Sequence, residues 1–181
     1  MVFERLADCH DRESFSCGVK ELDDYFHKYA RQNAKKGVAA VFVLALKPKS
    51  GFVLGYYTLS ATVVDAGELP DEFRRKLPRY QQLPATLLGR LARRADHGEK
   101  GIGEKLLVNA LRRSARNSET IGSLAVVVDA KGDAAREWYL KYGFLELGGH
   151  PHRLYLPMQS IKEELRRGAK TSKPRSAPRR R

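Results

Sequence analysis

Residues 87–115 read LLGRLARRADHGEKGIGEKLLVNALRRSA, and this stretch decides the fold. Leu87, Leu88, Leu91 and Ala92 give an apolar strand over Leu87 to Arg94, Gly98, Gly101 and Gly103 punctuate a turn, and Ile102, Leu106, Ala110 and Ala115 recur at helical spacing. A strand that passes through a glycine loop into a helix N-terminus is an anion-binding device. Glycine permits positive φ and close backbone approach, and the first helical N–H groups lack partners at the positive end of the helix dipole. Phosphate or pyrophosphate is the natural guest, although glycine before a helix is also ordinary turn chemistry.

Two familiar phosphate loops are excluded. A Walker A loop ends Gly-Lys-Ser/Thr, whereas Gly103 is followed by Glu104 and Lys105. A dinucleotide fingerprint needs a third glycine three residues after Gly103, where this chain has Leu106.

At 181 residues the chain is long enough for one domain with a real core. Its 34 Lys and Arg against 21 Asp and Glu leave a net charge of +13. The stretch 161–181 has nine basic and two acidic residues, so +7 belongs there and +6 to residues 1–160. The expected division is a domain over 1–160 and a basic C-terminal extension over 161–181, disordered beyond Arg167 and ending in Arg179, Arg180 and Arg181. A basic domain favours polyanionic partners, either nucleic acid or a phosphate-rich cofactor.

No apolar stretch approaches the roughly 18–20 residues that span a bilayer, and Glu4, Asp8 and Asp11 interrupt the N-terminus too early for a signal core. No membrane role is expected. Cys9 and Cys17 are too few for a disulfide framework or a zinc site, and a reducing cytoplasm fits them. His150 and His152 share one face of a strand by spacing and are not read as a metal site; no metal is expected.

Around the deciding stretch, a helix is expected over Ser16 to Lys36, with Leu22, Phe26, Tyr29 and Ala30 on one face and Lys28, Arg31, Lys35 and Lys36 on the other. Val38 to Leu46 and Phe52 to Val64 read as an antiparallel hairpin. Pro70 to Lys76 reads as a short basic helix, followed by a connection over Leu77 to Pro84. Leu124 to Val128 suits a strand buried on both faces, Asp133 to Tyr142 a helix stopped by Gly143, and Leu154 to Met158 a final strand. The expected class is α/β (α+β), a mixed central sheet flanked by helices.

The helix over Asp133 to Tyr142 completes a second motif, Ala135-Arg136-Glu137-Trp138-Tyr139-Leu140-Lys141-Tyr142-Gly143-Phe144. With the strand, glycine loop and helix before it, this resembles the GNAT superfamily of acyl-CoA-dependent N-acyltransferases across Leu87 to Met158. A narrower likeness covers almost all of residues 3–158. Phe15-Ser16-Cys17-Gly18, Leu22-Asp23, Gly55-Tyr56-Tyr57-Thr58-Leu59 and Leu88-Gly89-Arg90-Leu91-Ala92, in that order, look like the GNAT toxins of bacterial type II toxin–antitoxin modules. That resemblance implies an acetyltransferase that modifies the α-amine of aminoacyl-tRNA and blocks translation, neutralised by a ribbon-helix-helix antitoxin, with a homodimer as a further expectation.

The resemblance also assigns residues. The backbone of Leu91, Ala92 and Arg93 would pair with the pantetheine arm of acetyl-CoA as an added strand. The loop Gly98, Glu99, Lys100, Gly101, Ile102 and Gly103 would hold the pyrophosphate, with Asp133 also on the cofactor side. The superfamily places Arg or Gln where Gly98 stands and commonly glycine where Glu99 stands, so a carboxylate occupies a phosphate loop and must turn outward or cost coenzyme affinity. An N–H near Leu91 would polarise the thioester carbonyl, and Tyr139 would be the general acid, Tyr142 being the nearest other donor. Lys28, Arg31, Lys35 and Lys36, with Arg74, Arg75, Lys76 and Arg79 of the connector, are the candidate tRNA contacts. Arg90 could face either the acceptor end or a core carboxylate. Two other functions stay open: a GNAT acting on a small-molecule or protein amine, and a catalytically weak GNAT fold that binds RNA or protein.

Overall fold

A computed structural model describes residues 1–98 and 100–171. Glu99 and the terminal arginines Arg179, Arg180 and Arg181 therefore lie outside the described residues. The elements run β1 (Val2–Arg5), α1 (Lys20–Asp24), a π-helical turn (Tyr25–Tyr29), α2 (Ala30–Lys35), β2 (Ala40–Ala45), β3 (Val53–Asp65), α3 (Asp71–Arg74), β4 (Gln82–Arg93), α4 (Ile102–Asn117), β5 (Ala125–Asp129), α5 (Gly132–Lys141), β6 (Leu145–Glu146), β7 (Arg153–Pro157) and α6 (Met158–Thr171). The strands form one mixed sheet in the order β1-β2-β3-β4-β5-β7-β6. Only β4 and β5 are parallel, joined through α4 as a crossover unit.

Alternation along the strands divides the core. Phe42, Leu44, Leu54, Tyr57, Leu88, Val126 and Val128 pack with α4, α5 and α6 residues on one face. On the other, Val41, Val43, Val53, Tyr56 and Ala92 meet Phe15, Tyr25, Phe26 and Ala30 of the N-terminal segment. Further along that second face, Val64, Leu83, Ala85, Val127 and Tyr155 meet Phe73 and Leu77 of the connector. The ladder between β3 and β4 shifts register at Thr58/Leu59, opposite Gly89. This bulge reverses the alternation, so that Leu83 and Ala85 share a face with Ala92 rather than with Leu91.

The hairpin, the glycine-loop helix, the buried strand at 125–129 and the helix at 132–141 fall where the sequence places them. Other boundaries differ for identifiable reasons. The first helix starts at Lys20, because Gly18 takes φ +81° and Asp23 accepts from the Cys17 N–H at 2.8 Å and the Ser16 hydroxyl at 3.0 Å, folding residues 16–18 back over the first turn. β4 starts at Gln82 rather than Leu87, because Pro84 needs no N–H in the strand while its carbonyl accepts from Leu124 at 2.8 Å. The expected domain end at residue 160 falls inside α6, where Ile161 is buried and Leu165 packs on the core.

Candidate active site

The site forms where β4 and β5 part. Their ladder covers only Thr86 to Leu88 against Val126 to Val128, while β4 continues to Arg93. On its other side β4 stays paired with β3, Leu91 opposite Tyr57 and Arg93 opposite Gly55, and the Arg94 N–H donates to the Leu54 carbonyl at 2.8 Å. The two-residue period therefore turns the N–H groups of Ala92 and Arg90 toward β3 and those of Leu91 and Arg93 toward the opening. An exposed length of strand edge results, ready to pair with an extended amide-bearing chain.

The opening leads into a cleft of about 970 Å³ lined by Leu91, Arg93, Gly98, Lys100, Gly101 and Gly103 on one side and by Ala134, Trp138, Tyr139 and Tyr142 of α5 on the other. Gly101 precedes α4 with φ +81°, a conformation that favours glycine, and turns the chain into the helix. A Cβ at Gly98 or Gly101 would meet nothing within 4 Å, so the loop is open at both positions. Gly55 is required for packing: its Cβ would lie 2.7 Å from Leu106 Cδ1 and 2.8 Å from the Ala92 carbonyl. This close approach seats α4 against the β3–β4 pair. The strand edge, loop and cleft volume suit a pantetheine arm ending in a pyrophosphate.

Tyr139 lies within this cleft but is 92 % buried, its ring edge-on to Trp138 (5.0 Å) and Phe144 (5.2 Å). Burial pushes its phenol well above the ordinary tyrosine range, so it stays protonated. No hydrogen bond engages its hydroxyl among the described residues. Tyr142 lines the same cleft, with its phenol raised by burial and by the Glu104 carboxylate. Trp138, His97 and Glu104 are among the lining residues and had no place in the expected site. Trp138 had a signal, since it directly precedes Tyr139 on the α5 motif; the other two lie on the loop and first turn, where spacing carries no side-chain direction.

Three expected residues sit differently from their neighbours. Ala92 and Ile102 bury their side chains in the core, so only their backbone can serve the site. Asp133 does not line the cleft: its exposed carboxylate accepts from His152 Nε2 at 3.0 Å, which the proximity of residue 133 to the α5 N-terminus did not reveal. Arg90 meets no carboxylate among the described residues; its guanidinium stacks 3.7 Å from the centre of the Tyr25 ring. Arg94 is buried, donating to the Val53 and Ser14 carbonyls at 2.8 Å each, and so ties the N-terminal loop to the strand that forms the site.

The candidate RNA contacts lie on the sheet face covered by the N-terminal segment and the connector, and all are exposed except the half-buried Arg31. Lys28 pairs with Asp24 at 2.9 Å, Arg31 with Asp8 at 2.6 Å and Arg74 with Asp71 at 2.6 Å. Lys35, Lys36, Arg75, Lys76 and Arg79 are exposed and carry no acidic partner among the described residues.

No family model matches the chain. A tRNA-acetylating toxin of Mycobacterium tuberculosis is 34% identical over 158 residues, spanning 87% of this chain and 92% of the relative. A probable toxin TacT of Sinorhizobium fredii is 29% identical over 160 residues, spanning 84% and 88%. Among solved structures, a tyrosine-to-phenylalanine variant of KacT superposes with a TM-score of 0.84 at 28% identity, covering 90% of this chain and 98% of its own. AtaT complexed with acetyl-methionyl-tRNAfMet gives 0.83 at 27% identity, covering 91% and 98%. AtaTR bound with acetyl-CoA gives 0.78 at 26% identity, covering 91% and 97%.

Proposed function

The chain belongs to the tRNA-acetylating GNAT toxins of toxin–antitoxin modules, and on that premise we propose that it moves the acetyl group of acetyl-CoA onto the α-amine of an aminoacyl-tRNA, blocking translation. The observation that carries the site assignment is the unpaired edge of β4 past Leu88, running into the glycine loop opposite Tyr139.

In this reading the outward N–H of Leu91 donates to the thioester carbonyl oxygen as negative charge develops there. The neutral α-amine forms the new C–N bond, the C–S bond breaks, and the Tyr139 hydroxyl gives its proton to the departing thiolate. The proton released by the amine goes to solvent and ultimately restores the phenol. Burial keeps the phenol protonated, and its proton moves to sulfur as the C–S bond breaks and negative charge develops on the leaving group. Gly98, Lys100, Gly101, Ile102 and Gly103 hold the pyrophosphate through backbone N–H groups and the Lys100 cation. Asp133 is dropped from this set because its carboxylate is engaged with His152 outside the cleft. A ribbon-helix-helix antitoxin, a homodimer and a cytoplasmic location complete the proposal; no helix among the described residues is long and apolar enough to cross a membrane.

Incubation with labelled acetyl-CoA and charged bulk tRNA tests it. Base hydrolysis of the recovered RNA should release N-acetylated amino acid. Label found only on small amines or on protein would overturn the tRNA assignment while leaving the acetyltransferase intact.

A further inference from the structure

The two groups of cations on the RNA-facing side differ from a merely solvated basic surface in one respect. Each contains a tyrosine that the fold leaves in solvent: Tyr29 is 52% exposed and Tyr80 is 66% exposed. Tyr29, expected on the apolar face of the first helix with Leu22, Phe26 and Ala30, instead closes the π-helical turn in solvent, and two helical turns further along lies Lys36, on the same side and next in sequence to Lys35. The preceding tyrosine and phenylalanine, Tyr25 and Phe26, point the other way into the core. Tyr80 lies between Pro78 and β4, next to Arg79 and just after Arg75 and Lys76, and its N–H donates to the Pro78 carbonyl at 2.8 Å. Phe73 and Leu77 of the same connector are used as anchors in the core, Phe73 at 5.9 Å from Tyr155, so Tyr80 is left over by the packing.

Both segments cover the same face of the sheet. The N-terminal segment rests on Tyr56 and the connector on Val64, eight residues apart on β3 and therefore on one side of it, about 26 Å apart along the strand. Two aromatic faces set among cations with no acidic partner, spaced along one surface, match the chemistry by which proteins hold unpaired nucleotides. A ring stacks on a base while neighbouring lysines and arginines take the flanking phosphates. A hydrophobic protein partner would be served poorly by five unneutralised charges at the centre of its contact.

We propose that Tyr29 and Tyr80 are stacking platforms for unpaired nucleotides of the acceptor RNA, with Lys35 and Lys36 serving the first and Arg75, Lys76 and Arg79 the second. The proposal rests on the tRNA reading above and extends it from charge to a two-point grip. These are positioning residues, remote from the acetyl transfer itself.

The experiment measures the affinity of the full chain for fluorescently labelled uncharged tRNA at fixed salt, beside kcat and KM for charged tRNA. Tyr29→Ala and Tyr80→Ala should each weaken tRNA binding by about fivefold or more, and Tyr→Phe at either position should restore it, since stacking needs the ring and not the hydroxyl. KM should rise with kcat and coenzyme affinity unchanged. Replacing Arg75, Lys76 and Arg79 by Ala should lower the slope of log affinity against log salt by about 2 to 3. Wild-type affinity in both alanine variants overturns the proposal, as does a loss of affinity that phenylalanine fails to restore. A change in sedimentation mass without a change in tRNA affinity also overturns it and assigns the tyrosines to a contact between copies. Tyrosine-dependent tRNA binding without acetyl transfer would instead overturn the enzymatic reading and leave the platforms standing.

Discussion

Tyr139 both lines the cleft and packs in the core, so its substitution must separate chemistry from packing. Tyr139→Phe keeps the ring that meets Trp138 and Phe144 and removes only the proton donor. Turnover should fall about 100-fold or more, the range for loss of a general acid, while the coenzyme dissociation constant stays unchanged. Trp138 supplies the second readout, because it is the chain's single tryptophan and lines the cleft: its emission should change on coenzyme titration in both proteins. Acetylation at near-wild-type rate would remove Tyr139 from the mechanism and direct attention to Tyr142. Gly55 makes the opposite kind of demand, steric rather than chemical. Gly55→Ala drives a methyl against the Ala92 carbonyl, which cannot swing aside as a side chain can, and should cost about 1–3 kcal/mol, read as a lower urea midpoint. An unchanged midpoint would mean that α4 sits further from β3 than the contacts indicate.

Elements were legible where one pattern dominated a long enough span. The sequence Leu87 to Ala115 carries both a strand and a helix with glycines between, and α4 follows Gly101 as that pattern requires. β1 and β6, of four and two residues, are too short for alternation to register and exist because β2 and β7 offer them an edge. α6 was hidden by composition: its charges outnumber its apolar residues, yet Ile161 and Leu165 at i, i+4 form a stripe toward α4 and the core. The site divides the same way. The backbone positions of Leu91, Gly101 and Gly103 at the cleft could be read because glycine and strand signals report backbone geometry, whereas the engagement of Asp133 with His152 depends on the turn before β7, nineteen residues away. α6 also permits a direct check. Ile161→Ala removes a buried side chain from its inner stripe and should cost about 2–5 kcal/mol, measured by denaturant unfolding. A loss below about 0.5 kcal/mol, the scale of an ordinary surface change, would mean that α6 is not part of the cooperative unit.

At the scale of the whole molecule, charge and buried tyrosines pull stability in opposite directions at high pH. Lysine deprotonation reduces a net charge of +13 and relieves self-repulsion, which favours the compact state. Tyr56, Tyr57 and Tyr139 work against this, because burial raises all three phenols above the value of about 10 expected in the unfolded chain. Below that pH both states hold the phenolic protons and the fold loses nothing. Above it the unfolded chain releases them while the native state keeps them, so the unfolded state binds fewer protons and stability falls with each further rise in pH. Urea unfolding of the wild type should therefore give a steady midpoint from about pH 8 to 9.5 and a falling one from about pH 10 upward, with a shallower fall in Tyr139→Phe, which has one fewer buried phenol. A midpoint that rises through pH 11 would show that charge relief outweighs the phenols, and an identical slope in Tyr139→Phe would show that Tyr139 ionises in the fold as readily as in the open chain.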